Sequence, residues 1–256
     1  MPSAQDPVAL NDDAIQATES NWKKCGIGNH IQGIPRAMSS AQDPALEEVK
    51  RGIQEQTQVV LIKMDIEKTN EIEKAKKIVE GIVGDKGLNL LINNAGILKM
   101  QVFREITEEN LLRHFSINTI GPVMVLKEML PLLQKSAALK TSGMNISRAA
   151  VLNVSATLGS MGARNDLVRA KLLETMGYSI SKAALNMAMR VIACTVKDQG
   201  ILVVNISPGW VKTDMGTSQA MLEVSESISA MIETMQQLNE THHGSFLDRN
   251  GNVIPF

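Results

Sequence analysis

Cysteine and tyrosine are scarce in this 256-residue sequence, which has two cysteines and one tyrosine. The cysteines, Cys25 and Cys194, lie far apart and show no Cys-x-x-Cys spacing, so the sequence supports neither a disulfide framework nor a cysteine zinc site. A reducing compartment, the cytoplasm, is the expected location. His242 and His243 have no acidic or cysteine partners at metal-ligand spacing, so we expect a solvated loop there and no metal.

The sequence also has no excess of either charge and no long hydrophobic run. It has 26 basic and 27 acidic residues, so it has no excess of positive charge to attract a nucleic acid or an anionic membrane. We expect neither as a partner. The first residues are acidic and contain proline, unlike a signal peptide, and no apolar run approaches the roughly 18 residues that span a bilayer. With 44% hydrophobic residues, the chain has the composition of a packed globular domain.

Four apolar runs from residue 58 onward have the composition of buried β-strands and alternate with helical segments. They are VVLIKM at 59–64, LNLLI at 88–92, AAVLNVS at 149–155 and ILVVNIS at 201–207. This alternation predicts an α/β fold with a doubly wound, mostly parallel sheet of the Rossmann-like type over residues 58–256. Residues 1–57 do not share the pattern, so we expect them to form an aberrant or truncated amino-terminal unit.

Three helical segments connect these runs. Apolar residues recur at three- and four-residue steps between the first two strands, and Gly84 and Gly87 suit the end of that helix. A second helix is predicted over residues 107–133, with Pro122 expected to kink or divide it. The third follows Tyr178 and keeps a helical period.

Tyr178 and Lys182 form a Tyr-x-x-x-Lys motif near the start of the third helix. The four-residue step places both side chains on one helix face, where an ammonium group near the phenol favours the phenolate and lowers the tyrosine pKa. Such a tyrosine can act as a general acid or base for a carbonyl or an alcohol. The same spacing is also typical of a surface pair on an amphipathic helix, so the motif alone decides nothing.

Three further motifs lie in the predicted α/β region, two of them directly after strands, where open α/β sheets bind ligands. NNAG follows the second strand at residues 93–96, Asn118 lies in the second helix, and SPGWVKTDMG follows the last strand at 207–216. Together with the Tyr-x-x-x-Lys motif, this set resembles the classical short-chain dehydrogenase/reductases over residues 58–256. The segments LLINNAGI and GSFLDRNGNVIPF are most similar to the sniffer-like carbonyl reductases, also called C-factor-like.

The resemblance implies a role for each matching residue. Tyr178 matches the proton donor, Lys182 the residue that lowers its pKa and holds the nicotinamide ribose, and Asn118 the residue that positions a water molecule in the proton relay. Further residues would contact the cofactor: Asp65 beside the adenine, Asn93, Ala95, Gly96, Pro208, Gly209, Val211 and Thr213. The implied reaction is hydride transfer between NAD(P)(H), with NADP(H) expected over NAD(H), and a small carbonyl or alcohol. A homodimer or homotetramer is implied as well, through the helices at 107–133 and 179–198.

Two departures from the family pattern leave a second interpretation open. The family's catalytic serine, which hydrogen-bonds the substrate oxygen, corresponds to Ala156. Ser155 is the candidate replacement and Thr157 another, although neighbouring strand residues point to opposite faces. The family's glycine-rich phosphate loop is missing: Gly26 and Gly28 match only its last part, and an unrelated glycine-bearing loop is the favoured interpretation. We therefore expect the chain to bind the cofactor weakly. The leading prediction is an NAD(P)(H)-dependent carbonyl reductase. The alternative is a catalytically impaired relative, a pseudoenzyme or altered gene product, that acts through protein association.

Overall fold

The computed structural model describes residues 36–38, 59–140, 143–163 and 173–256. Within these ranges the strands are β1 (Arg36–Met38), β2 (Val59–Leu61), β3 (Leu90–Asn93), β4 (Ala150–Val154), β5 (Leu202–Ser207) and β6 (Phe246–Asp248). The helices are α1 (Thr69–Val83), α2 (Glu108–Phe115), α3 (Gly121–Ala138), α4 (Met176–Val196) and α5 (Val224–Gln237). Gly26 and Gly28, which match the last part of the family's phosphate loop, lie outside the described residues.

The strands form a parallel sheet of order β3-β4-β5-β6 and a separate parallel pair, β1-β2. Successive residues of β4 and β5 face opposite layers, as strand geometry requires. Val151 and Val203 belong to a core with α1, α3 and α4, whereas Leu152 and Val204 belong to a core with α5. Helices therefore cover both faces of a parallel sheet, and the predicted doubly wound α/β class is confirmed.

Each of the four predicted apolar runs contains a strand, β2 to β5. The first run is only partly extended, because β2 ends at Leu61. Gly84 and Gly87 end α1 with positive φ angles of 52° and 67°, which glycine adopts without steric cost. Three elements fall outside the predicted set: β1, which lies in the segment set apart by sequence, and α5 and β6 near the carboxyl end.

A π-helical turn at Ser116–Ile120 separates α2 from α3. Pro122 lies in the first turn of α3, where its missing N–H costs least. It cannot donate to the carbonyl of Asn118 four residues earlier, and Gly121 N instead bonds Ser116 O, five residues back. The predicted interruption of this helix is therefore found at Ser116–Ile120, just before Pro122, and Asn118 lies in the widened turn.

The histidine pair near the carboxyl end is more ordered than the predicted solvated loop. His243 Nδ1 accepts a hydrogen bond from Val203 N at 3.2 Å, and its Nε2 lies 2.9 Å from Ala193 O, so it joins β5 to α4. His242 takes part in the capping box of the helical turn Glu240–His242. In the described ranges, no group of three His, Cys, Asp or Glu residues is placed to hold a metal ion. Nor does any helix there have the length and apolar character needed to cross a membrane.

Candidate active site

The carboxyl ends of β3, β4 and β5 carry asparagine at matching positions. Asn93 is the register partner of Asn153, which is the partner of Asn205. All three side chains are buried; Asn93 Nδ2 donates to Asn153 Oδ1 at 2.8 Å, and Asn153 Nδ2 lies 3.4 Å from Val204 O. Buried amides need such partners. Asn93 and Asn153 therefore connect the ends of β3, β4 and β5, whereas Asn205 Nδ2 lies 3.4 Å from Asn186 O on α4. The loops that follow these strands begin from a fixed edge.

Asn118 is fully buried and holds the loop after β3. Its Oδ1 accepts from Ile97 N at 2.8 Å, and its Nδ2 donates to Ile97 O and to Ser181 Oγ, each at 2.9 Å. Ser181 lies on α4, and its hydroxyl donates to Tyr178 O at 2.7 Å. One side chain therefore joins the π turn, the loop after β3 and the helix that carries the Tyr-x-x-x-Lys motif.

Lys182 is a buried cation at the end of β4. Its side-chain Nζ donates to Val154 O at 2.7 Å and lies 5.7 Å from the centre of the Tyr178 ring. Burial lowers the pKa of Lys182 to about 8, because a low-dielectric interior disfavours the charged form. The side chain therefore stays mostly protonated at neutral pH and titrates in the mildly alkaline range.

Tyr178 is also buried, and burial raises the pKa of this phenol above its ordinary value. The spacing of the motif predicts the opposite direction, and that prediction is wrong for this arrangement. The loss of water around the phenol outweighs the effect of Lys182, whose ammonium is directed to the Val154 carbonyl. Tyr178 is protonated at neutral pH, which is the form that can donate a proton.

Gly96 lies between Asn118 and Lys182. A Cβ atom at this position would lie 3.1 Å from Asn118 Oδ1 and 3.5 Å from Lys182 Nζ. The absent side chain leaves open the space next to both polar groups, and the preceding Ala95 is exposed. The structure thus brings four of the predicted residues together: Gly96, Asn118, Tyr178 and Lys182.

The three residues after β4 differ in where their side chains are directed. Ser155 is buried, and its hydroxyl donates to Asn186 Oδ1 on α4 at 2.7 Å. The Ser155 hydroxyl proton is therefore used in the core and does not face the site. The expectation that Ser155 replaces the family's catalytic serine is wrong. Ala156 is half-buried with an extended backbone. Thr157 Oγ1 lies 3.0 Å from Ser207 Oγ at the end of β5.

The segment after β5 holds the predicted residues from Pro208 to Thr213. Gly209 has a φ of 84°, a left-handed backbone conformation that favours glycine at this position. Val211 forms a β-bridge with Leu222, and Thr213 Oγ1 lies 3.4 Å from Val211 O. The segment is a folded loop that begins at the same sheet edge as the Tyr178 cluster.

Asp65 lies elsewhere, between β2 and α1. Its Oδ1 accepts from Glu67 N at 3.0 Å, and its Oδ2 lies 3.0 Å from Lys68 Nζ. Burial alone would raise the pKa of Asp65, but the Glu67 N–H and the Lys68 ammonium lower it below its ordinary value. These contacts tie the ionised carboxylate to the start of α1 and not to Tyr178.

Sequence reasoning missed His114, which is fully buried beside the Tyr178 ring. The two ring centres are 6.4 Å apart in an edge-to-face arrangement, and Lys99 N donates to His114 Nε2 at 3.0 Å. The only signal in the sequence is the four-residue step from His114 to Asn118, which places both on one helix face.

Known proteins resemble this chain in sequence and in fold. The family model described as short chain dehydrogenase matches residues 30–221. The C-signal protein of Myxococcus xanthus is 33% identical over 170 residues, which are 66% of this chain and 93% of that protein. Two solved structures match at a TM-score of 0.79 and cover 88% of both chains: the carbonyl reductase Sniffer of D. melanogaster, 31% identical, and the NADPH-bound carbonyl reductase from chicken fatty liver, 30% identical. These matches confirm the resemblance seen in the sequence and show that the chain belongs to the short chain dehydrogenase family of oxidoreductases.

Proposed function

We propose that the chain is an NADP(H)-dependent carbonyl reductase that acts on small carbonyl substrates. The observation that carries the proposal is the cluster of Tyr178, Lys182 and Asn118 beside Gly96 at the carboxyl edge of the parallel sheet. The names of the two similar structures support it, because both are carbonyl reductases and one is bound to NADPH. NADP(H) is proposed over NAD(H) on that basis.

The residues present fit the nicotinamide half of such a cofactor. Gly96 leaves the space beside Asn118 open, and Lys182 brings buried ammonium donors to its edge. When bound, the cofactor supplies the hydride, while the chain supplies position and protons. We assign the remaining contacts to the predicted residues Asp65, Asn93, Ala95, Pro208, Gly209, Val211 and Thr213.

Tyr178 is the proposed proton donor. Because burial keeps its phenol protonated, it can give that proton to the substrate oxygen as the carbonyl becomes an alcohol. The Lys182 ammonium, 5.7 Å from the ring centre, would stabilise the tyrosinate that remains. The Asn118 side chain is committed to Ile97 and Ser181. Asn118 is therefore proposed to position, through its backbone carbonyl, to which Pro122 cannot donate, the water molecule that returns the proton to Tyr178.

The second hydrogen bond to the substrate oxygen is proposed to come from Thr157. Ser207 Oγ accepts from Thr157 N at 3.2 Å and from Gly209 N at 3.4 Å, so its own proton is free for Thr157 Oγ1, 3.0 Å away. Thr157 then keeps its hydroxyl proton for another acceptor. The Ser155 proton is already directed to Asn186.

A catalytically impaired relative that acts through protein association is the second candidate. Ala156 favours it, because the family's serine donor is absent there, and the loss of one such donor typically costs about 2.7 to 4 kcal/mol of transition-state stabilisation. The family match also begins at residue 30, beyond Gly26 and Gly28. For either candidate, the proposed cytoplasmic location rests on the scarcity of cysteine.

We also propose a homodimer or homotetramer formed through the helices at 107–133 and 179–198. Both regions expose large apolar side chains, among them Leu112 and Phe115 on α2 and Met187 and Val191 on α4. Burying such a surface against a second copy would remove it from water. Light scattering over a range of concentrations should give a multiple of 27.9 kDa, and a monomer throughout would contradict this assembly.

The proposed function is tested by the melting temperature with and without cofactor, together with product analysis. A ligand present at about 100 times its Kd stabilises the folded state by roughly 2.7 kcal/mol. The missing phosphate loop predicts weak cofactor binding and little rise in the melting temperature. The proposed reductase requires instead a clear rise with NADPH, a smaller one with NADH at the same concentration, and carbonyl-dependent oxidation of NADPH. An unchanged melting temperature with no carbonyl reduction would favour the impaired relative.

A further inference from the structure

Three polar side chains at four-residue steps hold the loop that follows β3. Asn118 pairs with both backbone groups of Ile97. Lys99 N donates to His114 Nε2 at 3.0 Å, and Asn110 Nδ2 donates to Lys99 O at 3.2 Å. The four-residue step places the three side chains on one side of α2 and the π turn. Together they fix the backbone of residues 97–99, directly after the NNAG motif.

His114 uses both ring nitrogens in this arrangement. Because Nε2 accepts from Lys99 N, the proton of the neutral ring lies on Nδ1, which is 2.8 Å from Asn110 O and donates to it. Burial lowers the pKa of His114, and the nearby Lys99 charge acts in the same direction. The neutral imidazole with its proton on Nδ1 is the form that satisfies both contacts.

The same imidazole packs against Tyr178. The two ring planes meet at 75° with their centres 6.4 Å apart, a favoured aromatic geometry. Gly177 permits this approach of α4 to α2, since a Cβ there would collide with Asn110 Oδ1 and lie 3.0 Å from His114 Nδ1. His114 therefore contacts both the Tyr178 ring and the backbone of the loop at residues 97–99.

We propose that His114 is a positioning residue for Tyr178. It fixes the phenol ring relative to residues 97–99, and hence relative to the open space beside Gly96. The inference rests on the proposed role of Tyr178 as proton donor. His114 takes no part in proton transfer, because both of its nitrogens are committed to backbone groups. Its replacement should therefore misplace the donor without removing a reacting group.

Tyrosine labelled with ¹³C at Cζ tests the proposal, because Tyr178 is the only tyrosine and gives a single signal. His114→Leu removes both backbone contacts, and His114→Gln keeps an amide that can accept from Lys99 N. We expect His114→Leu to shift and broaden the signal and to lower kcat about tenfold, the effect of roughly one lost hydrogen bond, with a much smaller change in KM for NADPH. His114→Gln should recover most of kcat, and His242→Gln is the matched control with no effect.

If His114→Leu lowers the melting temperature but leaves the Tyr178 signal and kcat unchanged, His114 is only structural and the proposal is wrong. If that variant does not fold, Gly177→Ala tests the same contact from α4, and an unchanged signal in the folded Gly177→Ala protein overturns the proposal. The carbon signal does not depend on turnover. A chain without reductase activity would contradict the proposed function, while the signal would still decide the His114 contact.

Discussion

The two sides of the candidate site are built differently. On the proton-donor side, Asn118 and Lys182 satisfy buried backbone groups of the elements next to them. On the substrate-oxygen side, Ser155 turns into the core, Ala156 has no hydroxyl and Thr157 pairs with a neighbouring hydroxyl. Asn118, whose neutral amide makes three such bonds, is therefore costly to lose from the fold. A hydroxyl that hydrogen-bonds only the substrate has no such structural role. A single substitution, as at Ala156, can remove it and leave the fold intact.

The largest expected effect is on the donor side. Tyr178→Phe removes the phenol that is proposed to donate the proton, and we expect kcat to fall by about a hundredfold to ten-thousandfold. The melting temperature should stay close to that of the unmodified chain, because the ring and its packing remain. Full turnover in a folded Tyr178→Phe protein would show that another group supplies the proton.

On the oxygen side, Ala156→Ser should raise kcat. It restores a hydroxyl at the family position, where one donor is typically worth about a hundredfold to a thousandfold; we expect about a tenfold gain, since Thr157 already supplies part of this effect. Steady-state kinetics with one carbonyl substrate measures it, with Ala156→Gly as the control. An unchanged or lower kcat with normal folding would mean that the oxygen side is already complete.

We expect the buried Lys182 ammonium to lower the free energy of unfolding at neutral pH. Below about pH 8 it is protonated in the folded and unfolded states, and the folded chain bears the full cost of burying the charge, about 3 kcal/mol for its depressed pKa. Lys182→Met should therefore raise the free energy of unfolding at pH 7 by about 2 kcal/mol, after the lost bond to Val154 O. That gain should shrink as the pH rises from about 8 towards 10.5.

Urea unfolding at several pH values measures this difference. The exposed Lys212, which pairs with Glu223, is the matched control, and Lys212→Met should change stability by less than about 1 kcal/mol. A Lys182→Met protein that is less stable than the unmodified chain at pH 7 would show that the buried ammonium is stabilising.

Of the two hydroxyl side chains beside Ala156, we expect Thr157 to affect activity and Ser155 to affect only stability. We expect Thr157→Val to lower kcat about tenfold, as for one lost hydrogen bond to the substrate, and to lower the free energy of unfolding by about 1 kcal/mol, because the buried Ser207 hydroxyl loses its acceptor. Ser155→Ala should instead lower the free energy of unfolding by about 1 to 3 kcal/mol, because Asn186 Oδ1 loses its buried donor, with kcat nearly unchanged. The reverse pattern would return the donor role to Ser155.

The sheet could be predicted from the sequence because its strands are buried on both faces and appear as continuous apolar runs. β1, β2 and β6 are each three residues long. Of these, β2 alone lies within a longer apolar run, so the sequence pattern does not reveal β1 and β6. The helix α5 does carry a readable period in Ile228, Met231 and Met235, which face the sheet. That spacing of three and four residues is typical of an amphipathic helix, so α5 could have been predicted as well.

The motif positions of the site could also be predicted, but not the directions of its side chains. Where the Ser155 hydroxyl points depends on the strand pleat and on Asn186, 31 residues further along the chain. The pKa of Tyr178 follows from burial, which residue spacing does not reveal. His114 finds its partner Lys99 at a distance of 15 residues, across the loop and helix that the fold brings together.

The most direct test of the central claim follows the hydride itself. The unmodified chain is incubated with small aldehydes and ketones and with NADPH that carries deuterium at the transferred position, and the masses of the products are measured by mass spectrometry. Carbonyl reduction predicts an alcohol that contains one deuterium, formed by the unmodified chain and lost with Tyr178→Phe. The account is contradicted if neither the unmodified chain nor Ala156→Ser forms a deuterated product although the melting temperature shows that NADPH is bound.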